Sequence, residues 1–353
     1  MSAAQRLRDA ACERILIKDG PFGTEIQNWK LAEADYAGSL GLGHDQKGNN
    51  DILALTKPDV PEAITRAYLD AGADVIATNT FSANRISQAD YGAEHLVAEI
   101  NRAAAEIARR CADEYAARDA KNGITRPRFV AGAIGPTNKT LSLSPDVNDP
   151  GFREVDFDGV KEVYREQCDA LIEGGVDFIL IETIFDTLNA KAGIMAAREA
   201  ARASARDVPL MISMTITDLS GRNLSGHTVE AFWHAVRHAN PVTIGLNCSF
   251  GAQQLTPHVQ TLAAIADTLI QAYPNAGLPN ELGAYDELPE QSAALVREWA
   301  ERGLVNILGG CCGSSPAHIA AIAKAVAGIA PRRIPGCPGG TRLAGLEPMT
   351  IAA

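Results

Sequence analysis

Two apolar patterns alternate along the chain. Short runs such as "DFILIET" (177–183) and "PLMISMTI" (209–216) are apolar on both faces and too short for helices, which suits strands buried on both sides. Between such runs, apolar residues recur at steps of three and four. In "PAHIAAIAKAVAGI", Ile319, Ile322, Val326 and Ile329 make one stripe, the mark of an amphipathic helix. Three stretches share one transition between the patterns: "LDAGADVIATNT" (69–80), "IEGGVDFILIET" (172–183) and "AERGLVNILGG" (300–310). Each has a helical end, a glycine, then an apolar run. A glycine just past a helix takes the left-handed conformation that closes the last turn, so each stretch reads as the helix-to-strand half of a βα repeat.

Reading outward from these anchors predicts eight strands, at 15–20, 74–80, 128–135, 177–183, 209–216, 242–249, 269–275 and 305–312. The seventh has the least distinctive pattern, because "TLIQAYPNAG" also suits a helix end followed by a turn. Eight strands alternating with helices make either an open doubly wound sheet or a closed barrel. The open sheet normally carries G-x-G-x-x-G after its first strand, whereas "DGPFGTEI" (19–26) has only two spaced glycines. The expected fold is therefore α/β, a single-domain (β/α)8 TIM barrel over residues 1–330. Residues 27–60 form a long polar insertion after strand one. The Pro/Gly-rich tail 331–353 reads as a linker.

Composition narrows the function classes. The chain has 353 residues, 46% of them hydrophobic and 21% charged, which fits a folded core. Its net charge of -11 and the lack of a Lys/Arg cluster argue against nucleic acid as a partner. Neither a secretory apolar core nor a run of about 18 apolar residues is found, so no membrane partner and a cytoplasmic, reducing location are expected. Seven cysteines at irregular spacing do not form a disulfide framework.

Active sites of such barrels lie at the C-terminal ends of the strands. Those ends carry Asp19 and Gly20, Thr78–Thr80, Gly135, Glu182, Asn247 with Cys248, and Cys311 with Cys312. Three of the seven cysteines fall on this rim, while Cys12, Cys111, Cys168 and Cys337 fall on helical stretches or in the tail. Strands six and eight are both even-numbered and contribute to the same interior layers, so Cys248 can meet the vicinal pair. Neighbouring side chains on a regular strand point to opposite faces. Both thiols of "GGCCG" can converge only if the pleat is broken, which Gly309, Gly310 and Gly313 permit.

Three thiolates with one open position suit a catalytic Zn²⁺ and select against Mg²⁺ and Ca²⁺; the alternative is that Cys248 packs as a small hydrophobe. Asp19 and Glu182 suit a bound ammonium, and the N–H groups near Gly20 suit a carboxylate; helix capping and a rim salt bridge are the plainer reading of the two acids. His234 and His238, spaced i, i+4, lack the H-E-x-x-H glutamate and are expected on a solvated helix face outside the barrel. His318, at a helix start, is expected to be structural.

Several segments together resemble a known family: "DGPFGTEIQ", "KGNNDILALTKPDVPEAITRAYLDAGADVIATNTF", "IGPTNKTLSLSPDVNDPGFR", "GLNCSFGAQQL", "YPNAGLPN" and "GGCCGSSPAHI". They are similar to the zinc-dependent homocysteine S-methyltransferases. The KGNND and SPDVNDPGFR segments look like the branch formed by the homocysteine-binding module of cobalamin-dependent methionine synthase. The resemblance implies Zn²⁺ on Cys248, Cys311 and Cys312, with Asp19 and Glu182 on the homocysteine amine and backbone N–H groups near Gly20 on its carboxylate. It also implies that Asn275 is a fourth zinc ligand when substrate is absent.

The activity so implied is methionine formation: a zinc-bound homocysteine thiolate attacks the methyl of methylcob(III)alamin, and that methyl originates from 5-methyltetrahydrofolate. No cobalamin-binding D-x-H-x-x-G occurs in the chain, and "LAGLEPMTIAA" resembles the linker that leads to a folate module. The folate and cobalamin modules are therefore expected on a separate chain. Three other readings stay open at this point: direct use of S-methylmethionine or betaine, a non-catalytic homocysteine- or zinc-binding subunit, and a redox-sensing barrel.

Overall fold

The computed structural model describes residues 1–336 and 339–351; Cys337 lies outside them. Eight parallel strands form the barrel: β1 (Leu16–Ile17), β2 (Val75–Ala77), β3 (Phe129–Ile134), β4 (Phe178–Ile184), β5 (Leu210–Met214), β6 (Thr243–Gly251), β7 (Leu269–Asn275) and β8 (Ile307–Leu308). Their order is β1-β8-β7-β6-β5-β4-β3-β2. A parallel bridge from Lys18 to Val75 closes the circle, with the Asp19 N–H donating to the Val75 carbonyl at 3.0 Å and the Asp74 N–H to that of Ile17 at 2.7 Å. The expected single-domain (β/α)8 barrel is thus the observed fold. Each predicted strand is present, and β7 is continuous and buried along its whole length. The transition glycines Gly72, Gly175 and Gly303 all have positive φ, at 101°, 95° and 61°, as the helix-closing reading requires.

Two apolar layers hold the barrel. One lies between the strands and the outer helices. The other fills the N-terminal end of the bore, where Leu7 and Ala11 of the helix Ala3–Glu13 plug against Leu16, Phe129, Phe178 and Met211. The bore is therefore dry at the bottom. Its upper half is polar instead, with Lys18, Ser213, Asn247, Gln271 and Tyr273 all buried.

Asp74 anchors the β1–β2 seam. Its carboxylate accepts from Arg14 at 2.7 and 2.8 Å, from Arg126 at 2.6 Å and from the Ile17 N–H at 2.9 Å. Burial alone would push the Asp74 pKa up, but the hydrogen bonds from Arg14 and Arg126 outweigh it and hold the carboxyl below its usual value.

Both segments outside the repeat carry secondary structure among the described residues. The insertion carries the helix Glu33–Ala37, a short 3-10 turn Asn50–Ile52 and the helix Leu53–Thr56, with Ile52 and Leu53 fully buried. Part of the tail forms an antiparallel hairpin of β9 (Thr341–Ala344) and β10 (Pro348–Ile351). The hairpin lies against the helix Val229–Val236. The Thr228 N–H donates to the Leu346 carbonyl at 3.1 Å, and Arg222 pairs with Glu347.

Removing the Asp74 carboxylate should cost about 3 kcal/mol of stability, because it strands two arginines at the seam. A depressed carboxylate pKa gives stability that is present above the unfolded value and lost as pH falls through the folded one. Asp74→Asn should therefore lower the denaturation midpoint at pH 7, and the gap from wild type should shrink in acid. Urea titrations at both pH values measure this.

Candidate metal centre and substrate pocket

The three rim sulfurs meet. The Sγ atoms of Cys248, Cys311 and Cys312 all lie within 4.8 Å of one another, and Cys248 Sγ is 3.5 Å from Cys312 Sγ. Tetrahedral zinc with bonds of about 2.3 Å would separate its sulfur ligands by roughly 3.8 Å, so the trio fits that ion. The other described cysteines stand apart: Cys12 is exposed, and Cys111 and Cys168 are buried in outer helices.

The convergence has two backbone causes. On β8 the regular ladder ends at Leu308, and beyond it single bonds, from the Gly309 N–H to the Ala272 carbonyl (3.1 Å) and from the Cys311 N–H to the Pro274 carbonyl (2.8 Å), keep the chain beside β7. The glycines act differently from expectation, however. Neither Gly309 nor Gly310 has positive φ; they serve as space. A β-carbon on Gly309 would sit 2.9 Å from the Asp19 carbonyl oxygen, and one on Gly310 would sit 2.5 Å from Ser314 Oγ. Gly313 alone of the three is left-handed, at φ 80°, and a β-carbon there would come within 2.3 Å of Tyr285.

On β6 the left-handed residues are Cys248 itself (φ 62°) and Ser249 (φ 59°), and on β4 it is Thr183 (φ 58°). Both strands break register at these points, between Asn247 and Gly251 and between Ile181 and Ile184. Such bulges re-aim side chains at strand ends. Asn247 ties the two irregularities together. It accepts from Ser213 Oγ at 2.6 Å and from the Thr183 N–H at 3.1 Å, and donates to Thr183 Oγ1 at 2.8 Å.

The sulfurs border a cavity of about 800 Å³ at the barrel mouth, which also touches Lys18, Gly20, Glu182, Tyr273 and Tyr285. Residues 48–51 of the insertion form part of its wall. There the Asp51 carboxyl is pushed up to about 7 by burial, against a hydrogen bond from the Ser82 N–H. Glu182 is buried on β4 and accepts from the Tyr273 hydroxyl at 3.0 Å. Burial raises its pKa, opposed by the Lys18 charge and the Tyr273 hydrogen bond.

Hydrogen bonds from Cys248 and Cys311 pull Cys312 down to about 3, with further help from Tyr285. The same sharing pushes Cys311 up. One thiolate is thus favoured before any metal arrives, while a bound ion requires all three.

Not every expected site residue faces this cavity. Gly20 and Glu182 do, but Asp19 is fully buried behind Lys18. One Asp19 oxygen accepts from Lys18 Nζ at 2.8 Å and the other from the Ala77 N–H at 2.7 Å. Asn275 ends β7, flanked by bonds from the Cys311 N–H to the Pro274 carbonyl (2.8 Å) and from the Ala276 N–H to the Cys312 carbonyl (2.9 Å). Its buried Oδ1 has no hydrogen-bond partner among the described residues.

His318 is structural, bonded to Ser315 and to the Glu287 carbonyl. The solvated face expected for His234 and His238 needs correction: His238 is exposed, but the His234 side chain is only 1% exposed, because the tail hairpin packs over its helix. Lys18, Tyr273 and Tyr285 were missed, and Asn247 was placed on the rim without a role. A lysine inside the apolar run "ILIKDG" signalled Lys18, and the alternation Gln271, Tyr273, Asn275 on one strand face signalled Tyr273. Tyr285 sits in an irregular loop and had no such signal.

A parallel barrel whose mouth brings three half-buried cysteine sulfurs to the edge of one cavity is a TIM barrel with a candidate metal site where barrel enzymes keep their active sites. Residues 16–326 match the sequence profile of the homocysteine S-methyltransferases, and the chain belongs to that family; it is a methyltransferase. Among solved structures it is similar to the homocysteine methyltransferase MmuM from Escherichia coli. Its oxidized form aligns with a TM-score of 0.66 at 22% identity, over 88% of this chain and 95% of that one. The metallated form aligns with a TM-score of 0.65 at 23% identity, over 91% and 99%. At that identity the likeness carries the fold.

If the trio is the ligand set, Cys248→Ala should lose its zinc on dialysis while wild type retains about one ion per chain, with the far-ultraviolet circular dichroism unchanged. Metal analysis by mass spectrometry decides this, and full retention in the variant counts against Cys248 as a ligand.

Proposed function

We propose that this chain transfers a methyl group to the sulfur of homocysteine, with zinc held by Cys248, Cys311 and Cys312. The observation that carries the reading is the meeting of three sulfurs within 4.8 Å beside the buried carboxylate of Glu182, in one cavity. A zinc ion there would supply Lewis acidity that keeps a substrate thiol deprotonated, and therefore nucleophilic, near neutral pH. The unpartnered Oδ1 of Asn275 supports its assignment as a fourth ligand in the absence of substrate.

Glu182 takes the substrate ammonium. It is buried, and the Tyr273 hydroxyl holds one of its oxygens in place. Asp19, expected to share this task, acts through Lys18 because both of its oxygens are engaged. Gly20 allows close approach at the floor. A β-carbon there would lie 2.7 Å from the Tyr68 hydroxyl, which itself donates to the Pro21 carbonyl at 3.0 Å. Among the described residues no histidine lines the cavity, which suits a reaction needing no general base at the methyl carbon.

For the donor we propose methylcobalamin, which would supply an electrophilic methyl. The support is the KGNND segment, whose residues 48–51 border the cavity, together with SPDVNDPGFR beyond β3. A methyl-transfer assay separates the donors. Methionine should form from homocysteine and free methylcobalamin, and a zinc chelator should abolish it. Robust turnover with S-methylmethionine or betaine alone would replace cobalamin as the donor. Absence of methionine with all three would overturn catalysis.

Glu182→Gln should raise KM for homocysteine about 10- to 100-fold, the worth of one charge-assisted hydrogen bond. In wild type, the raised pKa means Glu182 gains its proton earlier than an ordinary glutamate as pH falls. KM should therefore climb toward acid pH, and the climb should be absent in the variant. Steady-state kinetics across the pH range tests both.

A further inference from the structure

A second cavity, of about 470 Å³, lies at the other end of the barrel from the three sulfurs. Pro241 and Thr268 in its wall precede β6 and β7, which places it at the N-terminal ends of the strands. The chain has a net charge of -11, yet this cavity is lined by Arg8, Arg237 and Arg342 against Asp267 as the one acid, with His234 and His238 beside them. Asp267 is already engaged, since Arg237 donates to both of its oxygens, at 3.0 and 2.6 Å. The Arg342 side chain donates to Thr350 Oγ1 at a long 3.4 Å. Neither Arg342 nor Arg8 pairs with an acid among the described residues. The His234 side chain is almost wholly buried, and neither ring nitrogen has a hydrogen-bond partner among the described residues, although Glu230 Oε1 stands 3.5 Å from Nε2. Buried polar groups are rarely left in that state.

Basic residues near a helix C-terminus have a plain explanation, because they complement the helix dipole. That covers His234, Arg237 and His238, at the end of the helix Val229–Val236. It does not cover Arg8, which comes from the helix Ala3–Glu13, or Arg342, which comes from β9. Cations gathered from three separate elements repel one another unless an anion joins them. We propose that this cavity binds a small organic anion with at least two oxyanion charges, phosphate or carboxylate, held between Arg8 and Arg342. The arginine fork matches either group, and the volume is that of a pocket for a whole small molecule. Such a ligand bridges the first helix and the tail hairpin, and so clamps the hairpin to the barrel. This site is separate from the metal centre and goes beyond the methyl-transfer reading.

The test is isothermal titration calorimetry of the intact chain with inorganic pyrophosphate and with propane-1,2,3-tricarboxylate, in about 0.1 M salt to screen weak surface attraction. At least one anion should bind, and Arg8→Gln and Arg342→Gln should each weaken it about 10-fold, the worth of one charge-assisted hydrogen bond. Arg297→Gln, on a helix that does not line this cavity, should leave the affinity unchanged. Binding of pyrophosphate alone assigns a phosphate ligand, and binding of the tricarboxylate alone assigns a polycarboxylate. Arg8 is exposed, so its variant reads the site even if Arg342→Gln loosens the hairpin. Heat from either anion ligating zinc is the same in wild type and the arginine variants, and is thereby told apart. Binding of neither anion, binding that Arg8→Gln and Arg342→Gln leave unchanged, or equal weakening by Arg297→Gln overturns the proposal.

Discussion

The ends of β6 and β8 must bring three sulfurs into one small volume, and neither strand can do so while it stays regular. A pleated strand sends Cys311 and Cys312 to opposite faces, so β8 gives up its ladder after Leu308. On β6 the cost falls on the cysteine itself, since Cys248 and Ser249 both take left-handed backbone without being glycines. Such residues cost of order 1–3 kcal/mol each and persist only where their surroundings over-determine them. Here the surroundings are identifiable. Asn247 bonds across to Ser213 and Thr183, and Ser249 Oγ sits 2.9 Å from Thr215 Oγ1. The strain is local, and the ends of β4 and β5 hold it.

The same economy governs charge. A barrel bore plugged by apolar side chains at one end cannot easily hold ions at the other unless they are paired. The cavity floor satisfies this with a Lys18–Asp19 pair and a Glu182–Tyr273 hydrogen bond, which share an aromatic ring. The trio adds further negative charge, and even without a metal its thiols compete for protons. A lysine beside this set is electrostatically favoured: Asp19, Glu182 and Cys311 together keep its pKa raised despite burial.

Much of this was legible before any coordinates. The left-handed glycines at 72, 175 and 303 mark helix ends by a local rule, and the apolar runs after them are buried by composition alone. Once eight strands are counted, the rim rule selects Cys248, Cys311, Cys312 and Glu182 without further information. The rule does not say that Asp19 would be buried and bonded to Lys18 and the Ala77 N–H, because being at a strand end does not say which neighbour a side chain bonds to. His234 was misplaced for a related reason: its helix is solvated only if nothing covers it, and a hairpin more than one hundred residues later in the chain covers it.

The sequence by itself determined the barrel, its closed topology and the residue types at its mouth. These follow from periodicity and glycine placement, which act over a few positions of chain. Only the tertiary structure decided that Gly309 and Gly310 serve as space rather than as turns, that Cys248 carries the strained backbone, and that Lys18 rather than Asp19 faces the cavity. Those outcomes depend on atoms brought within a few ångströms from strands far apart in sequence. No local pattern encodes which of two adjacent side chains will find a partner there first.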